Sequence, residues 1–296
     1  MNGTHVPVLA SEVIEALGVA PGKRFIDATL GAGGHTGELV KRGATVLAID
    51  QDKDALALAT HHLKDRVPTA FEEGRIIIRH GNFSDIGEIA KEEGWDSVDG
   101  ILFDLGISSM QLDHPERGIS YRFTDAPLDM RMDTSSGDTA AQLVNQASRE
   151  ELYDIISEFG EEELAGKLAD ATVRARSVSV IETVGDLVSA VAAVVPNEEA
   201  RNRVLARVFQ ALRIAVNDEL GVLKRGLESA FMVLKPGGRL VVISFHSLED
   251  RIVKLFMRRR GLTMLKKHVV TPGTEELTQN KRSRSAKLRV AEKTNI

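Results

Sequence analysis

The chain of 296 residues contains no cysteine. That excludes disulfides, thiolate metal sites, iron–sulfur clusters and a cysteine nucleophile, and it suits a reducing compartment. Aromatic side chains are scarce, with only 2 Tyr and 1 Trp, so a nucleic-acid partner would be held through shape and phosphates more than through base stacking. Apolar runs such as Val188 to Val195 fall far short of the roughly 20 residues that cross a bilayer. The opening stretch Met1 to Val13 has no basic segment followed by an apolar one, so no signal peptide is expected. The resulting expectation is a cytoplasmic protein with no membrane partner. Net charge is small at −5, but residues 251 to 296 hold 13 Lys/Arg against 3 Asp/Glu, a balance of +10 that leaves −15 elsewhere. A basic tail of this kind suits a polyanion and equally a solvated surface.

What is present, at 43% hydrophobic content, is enough apolar material for a large core and an attached unit. Runs rich in β-branched residues at Arg24 to Thr29, Thr45 to Asp50, Arg75 to His80 and Val98 to Asp104 alternate with helix-like segments. They are too apolar for a sheet with one wet face and predict parallel strands covered on both sides by helices. A fifth such run, Arg239 to Phe245, comes only after a long interval and follows the turn Lys235 to Gly238. The interval reads as helical. Ser148 to Glu151 is a capping box ahead of Leu152, Ile155, Ile156 and Phe159, with Gly160 as the stop; Thr183 opens a second helix and Val204 to Ala215 carries a third. The expected organisation is an α/β domain of residues 1–111 and 213–296, interrupted by a helical insertion domain of residues 112–212. Leu265 to Val270 and Ala286 to Ala291 are expected to pair as an edge hairpin.

After the first strand the chain reads Asp27-Ala28-Thr29-Leu30-Gly31-Ala32-Gly33-Gly34-His35-Thr36-Gly37, and the second strand ends in Asp50, 19 positions beyond Gly31. Glycines let the backbone approach a ligand, and an acid near this spacing accepts hydrogen bonds from ribose hydroxyls. A dinucleotide fingerprint would place its third glycine at position 36, where Thr36 stands. That disfavours NAD and leaves S-adenosylmethionine as the better candidate. A tight turn without a ligand, and Asp50 as a surface carboxylate, remain the plainer readings. Phe83 after the third strand is either an adenine contact or core. Asp104 to Gln111, a compact polar loop after the fourth strand, lies where open α/β sheets bind ligands; its plainer reading is a capped turn.

With these segments in view, the chain closely resembles the bacterial ribosomal RNA small subunit methyltransferase H family, also called MraW. The resemblance runs nearly end to end through His5 to Leu9, Arg117 to Tyr121, Pro127 to Asp133, Phe209 to Ile214, Ser244 to Arg251 and Arg282 to Arg289. It implies a Rossmann-like class I methyltransferase sheet and methyl transfer from S-adenosylmethionine to the N4 amine of a cytidine in the decoding region of 16S rRNA. The implied cofactor contacts are Gly33, Gly34, His35, Asp50, Phe83, Asp104 and Gln111. Tyr121 and Lys281 depart from the residues common at those places, Phe and Pro.

Methyl transfer from a sulfonium needs no metal, and positioning does most of the work. Cytosine's exocyclic amine is a weak nucleophile, so an acceptor for its protons is required. Asp104, Ser108, Ser109 and His246 are the catalytic candidates, with Glu249 and Asp250 as rivals that a helix N-terminus would also explain. Asp129, Arg131 and Asp133 form either an ion-pair lattice or a substrate wall. Arg282, Arg284, Lys287 and Arg289, helped by Arg258, Arg259 and Arg260, are expected to hold phosphates of 16S rRNA or of a small ribosomal subunit particle; DNA is not expected. Two rival readings are an NAD-dependent oxidoreductase and a catalytically silent RNA-binding assembly factor.

Overall fold

A computed structural model describes residues 7–294, except for the side chains of Ser109 and Met110. The first two residues of the His5 to Leu9 string lie outside it. The chain divides into two compact units, residues 1–106 with 220–296, and residues 107–219.

The first unit is built on seven strands: β1 (Arg24–Asp27), β2 (Thr45–Asp50), β3 (Ile76–His80), β4 (Val98–Asp104), β5 (Leu234–Ser244), β6 (Thr263–Met264) and β7 (Lys287–Glu292). Their spatial order is β3-β2-β1-β4-β5-β7-β6, parallel from β3 through β5, with β7 antiparallel to both of its neighbours. This is the expected Rossmann-like methyltransferase sheet. Alternate residues of each strand serve opposite faces. Ile26, Leu47, Ile49, Ile101, Phe103 and Val242 pack in one core. Phe25, Val46, Ala48, Leu102, Val241 and Ile243 pack in the other. Helices cover both faces, so the strands are apolar on both sides, as the near-continuous runs predict.

Two expectations are corrected here. The Lys235 to Gly238 turn lies within β5, where the pairing jumps from Val98↔Leu234 to Gly100↔Arg239. The turn is accommodated as a bulge, with Gly237 at φ 74°. The tail is no simple hairpin at the edge, because β7 pairs along β5 through six residue pairs and only Thr263–Met264 joins its far side. Leu265 to Val270 meets β7 only at its two ends, through the Leu265 amide on the Val290 carbonyl at 3.1 Å and the antiparallel bridge Val270↔Leu288. The long alternating stretch of β7 finds more partners beside β5 than a two-stranded ribbon offers.

The second unit is helical. Capping boxes at Thr139, Ser148 and Thr183 start the helices Ala140–Gln146, Arg149–Asp154 and Val184–Ala192. After Asp154 the chain widens into a π-turn at Ile155–Phe159, where a Cβ on Gly160 would come within 2.6 Å of the Ile156 carbonyl oxygen. The long helix Glu198–Asn217 runs past residue 212 because its apolar face continues and the chain first reverses at Asp218, φ 46°. The unit therefore extends a few residues beyond 112–212 at each end. Its core gathers Leu128, Met130, Leu152, Leu168, Leu187, Val208 and Leu212. No helix among the described residues is long and apolar enough to cross a membrane.

Candidate active site

Strands β1 and β4 are neighbours at the place where the strand order reverses. Their carboxyl ends open the crevice in which sheets of this topology hold ligands. Both end in aspartate. Asp27 is fully buried; it accepts a hydrogen bond from the Thr36 hydroxyl at 2.7 Å and one from the Thr29 amide at 3.3 Å. Burial pushes its carboxyl above the ordinary range, the positive side of His35 and the Thr36 hydroxyl pull it down, and the net shift is upward. Thr36, which breaks the dinucleotide fingerprint, is thus committed to this carboxylate.

Asp104 is held by its amide, which donates to the Thr29 hydroxyl at 2.7 Å. Its Oδ2 lies 3.4 Å from Nε2 of His35, ion-pair range but outside hydrogen-bond geometry, while the buried Oδ1 has no hydrogen-bond partner among the described residues. His35, in the first turn of the helix Gly34–Lys41, is 5% exposed. Its burial opposes the imidazolium, but the carboxylate of Asp104 and the charges of Asp27 and Glu276 outweigh that, so its affinity for a proton is raised.

The glycine loop is fastened from β2. Gly31, at φ 52°, donates its amide to Asp50 Oδ2 at 2.8 Å, and the Asp52 amide reaches Oδ1 at 2.9 Å. Gly31 needs no Cβ for this conformation, and a Cβ built there would meet nothing nearer than 4.0 Å. Desolvation raises the Asp50 carboxyl to about 6 against the pull of the two backbone donors, with Asp52 and Asp27 adding like charge. Each carboxylate oxygen accepts one of these bonds, which leaves acceptor capacity on both. The loop after β3 is tied alongside, since the Gly81 amide donates to the Asp50 carbonyl at 3.0 Å and the Asn82 amide group donates to Gln51 Oε1 at 2.8 Å. Phe83 stands edge-on to Phe103 with centroids 5.5 Å apart and lies over Gly226, where an added Cβ would come within 2.5 Å of its ring. The core side of Phe83 is therefore settled. Gly33 and Gly34 sit against Leu63 and Pro7, at 3.0 and 3.1 Å from a built Cβ.

His246 is the N-cap of the helix Ser247–Arg259. Its Nδ1 faces the Glu249 amide at 3.4 Å, and Glu249 Oε2 accepts from the amides of Phe245 and His246 at 2.8 and 3.3 Å. Glu249 thus completes a capping box. Asp250 accepts both arms of Arg289, at 2.6 and 3.0 Å.

That pair corrects the expectation for the tail, because Arg289 is largely buried in a two-pronged bond to Asp250 and does not face solvent. Lys287 lies 3.9 Å from the same carboxylate and is partly exposed. Arg282 is partly buried and Arg284 exposed, both in the turn Lys281–Ser285 anchored by the buried Ser283. Arg259 and Arg260 are both paired with Glu228, and Arg258 is exposed.

Within the helical unit, Ser108 and Gln111 bond reciprocally, with the Ser108 amide to Gln111 Oε1 at 3.1 Å and the Gln111 amide to the Ser108 hydroxyl at 3.2 Å. They start the short helix Ser109–Asp113, the capped turn of the plainer reading. The Ser109 side chain is outside the described residues. Arg131 forks onto Asp129 at 2.8 Å through both arms, and Asp133 accepts from Ser135 while its charge also acts on Arg131. The lattice reading fits these contacts.

Two residues, Asp27 and Glu276, are given no role by the sequence reading. Asp27 has a signal, because β1, β2 and β4 all end in aspartate at one edge of the sheet. Glu276 has none, being one acid in a polar stretch.

Residues 2–294 match the MraW methylase family. Proteins named "Ribosomal RNA small subunit methyltransferase H" are similar throughout. The one from Deinococcus radiodurans is 48% identical over 98% of this chain and 90% of its own length. That from Thermomicrobium roseum is 45% identical over 99% and 94%, and that from Carboxydothermus hydrogenoformans 44% identical over 99% of each. A family model matched over residues 2–294, with relatives this similar along nearly their whole length, makes this chain a member of the MraW methylase family, and so a methyltransferase.

Proposed function

We propose that the chain transfers a methyl group from S-adenosylmethionine to the N4 amine of a cytidine in the decoding region of 16S rRNA, as free RNA or within a small-subunit particle in the cytoplasm. The observation that carries this reading is the buried Oδ1 of Asp104, an acceptor without a partner among the described residues, at the switch point of the sheet. The crevice fits the donor: Gly31 leaves open space where a side chain would stand, and Asp50 retains acceptor capacity toward ribose hydroxyls. Gly33, Gly34 and His35 form the turn itself, and Phe83 follows the loop after β3 that is tied to the end of β2.

When bound, S-adenosylmethionine supplies a methyl group already activated by its positive sulfur. The chain supplies placement and a destination for a proton. As the amine nitrogen forms its bond to the methyl carbon, the carbon–sulfur bond breaks and the nitrogen must lose a proton. Asp104 Oδ1 is the acceptor best placed in the crevice, with His35 holding the other oxygen. His246 is less suited, because a ring whose Nδ1 accepts from the Glu249 amide carries its neutral-state proton on Nε2 and has no free lone pair. The helical unit, inserted directly after β4, is the substrate-recognition domain, and Arg282, Arg284 and Lys287 engage RNA phosphates. The target base enters unpaired or flipped out of its stack, at a few kcal/mol.

Mass analysis of nucleosides from 16S rRNA incubated with the enzyme and labelled donor is expected to place the label on cytidine N4. Label on a ring carbon or a ribose would overturn the assignment. Asp104→Ala should lower kcat/KM about a hundredfold or more.

A further inference from the structure

The helix Thr274–Gln279 carries no buried residue and leaves Leu277 39% exposed. Of its six side chains only that of Glu276 turns inward. Its Oε1 accepts the amide of Leu9 at 2.8 Å, a contact between residues 267 apart in sequence. Leu9 is fully buried yet sits at φ 52°, and it begins the helix Ala10–Leu17 with no side-chain cap of its own. A leucine keeps a left-handed backbone only where its surroundings hold it there, and the carboxylate on its amide is such a hold. Two residues earlier, Pro7 packs on Gly34 so closely that a Cβ there would approach its ring to 3.1 Å. The segment from Pro7 to Leu9 is therefore pressed on the first turn of the helix that carries His35. Glu276 also lies near enough to His35 for its charge to raise that residue's proton affinity.

We infer that Glu276 is a positioning residue for the methyl donor: by clamping Leu9 it seats Pro7 against Gly34 and so holds the glycine turn and His35 in their binding geometry. The inference rests on the proposed donor site and adds its dependence on the C-terminal segment. Glu276 precedes Lys281–Ser285 in the chain, and the Asn280 amide donates to its carbonyl at 2.6 Å. The basic turn that would meet RNA is thus fastened to the residue that clamps the donor loop. RNA that settles this turn also settles the clamp, so donor and RNA favour each other's binding, and the coupling is reciprocal.

The test compares full-length wild type, Glu276→Ala and Glu276→Gln by calorimetry with S-adenosylmethionine, with and without a 16S rRNA fragment, and by steady-state kinetics. Glu276→Ala is expected to raise donor Kd and KM about tenfold, to change kcat less than twofold, and to abolish the tightening of donor by RNA. Glu276→Gln keeps an acceptor for the Leu9 amide and should recover most of the donor affinity. Unchanged donor Kd in a folded Glu276→Ala variant overturns the inference, as does a loss in kcat alone. Should the alanine variant fail to fold, hydrogen exchange on the wild type decides: the product S-adenosylhomocysteine should slow exchange at the Leu9 amide, and unchanged exchange there overturns the inference. Failure of wild type to bind the donor at all would instead sink the proposed function.

Discussion

Carboxylates at the carboxyl edge of the sheet behave unlike those of the helical unit. At that edge Asp27 and Asp50 are pushed above their ordinary range by burial, and Asp104 keeps a buried oxygen with no partner among the described residues. In the helical unit Asp129, though its burial works upward, is drawn down on balance by Arg131, and Asp170 is drawn down by Arg149. Glu219 takes both arms of Arg213 at 2.6 and 2.9 Å. The difference separates two uses of charge. A carboxylate closed onto a guanidinium fixes a fold and has little left to offer, whereas one desolvated and incompletely bonded is costly to the fold and persists where a ligand completes it.

Arg213 gives the sharpest way to break that contrast. Its side chain and that of Glu219 are 8% and 11% exposed, so Arg213→Ala leaves a nearly buried carboxylate uncompensated. It should cost about 3–5 kcal/mol of unfolding free energy in urea. Replacing both partners with apolar residues of similar volume should cost far less. Normal stability with lost activity would instead move Arg213 to the functional class.

Asp50 tests the other side. Its folded carboxyl titrates at about 6 against 3.8 ordinarily, so between those values the folded state binds more protons than the unfolded one. Stability from this group is full below the lower value and is lost as pH rises through the upper one. Asp50→Asn, which keeps an acceptor for Gly31, should remove a fall on the order of 2 kcal/mol between pH 4 and 6, read from denaturation midpoints across that range. An identical slope in the variant would show that the carboxyl is not strained. Calorimetry should also find donor binding weakened in Asp50→Ala.

The smallest effect belongs to the tail. Arg284→Ala should reduce the slope of log affinity for 16S rRNA against log salt by about 0.7 and leave stability unchanged. Arg289→Ala should do the reverse, losing stability through Asp250 while the salt slope stays. A salt effect from Arg289 would return it to the RNA-facing set.

Much of the fold is legible in the order of the residues. The strands ending in Asp50 and Asp104 stand where their apolar runs place them, and the helix starts at Ser148 and Thr183 carry the capping boxes their residues spell. These are local signals, set by side-chain period and by the few groups that satisfy a free helix end. The basic stretch at residues 281–289 is equally plain as charge and misleading as surface, because charge along a chain does not say which arginine will meet an aspartate from another element. Glu249 is ambiguous in sequence for the same reason, and the amides it caps resolve it.

The sequence by itself determined the alternation of buried strands with helices, the glycine turn and the strand ends at Asp50 and Asp104, since each follows from composition over a few neighbouring residues. Only the tertiary structure decided that β7 lies between β5 and β6, that Arg289 closes on Asp250, that His35 lies beside Asp104, and that Glu276 holds Leu9. Those contacts join segments far apart in the chain. They exist because a folded core brings polar groups together away from water, where each must find a partner or remain open for a ligand.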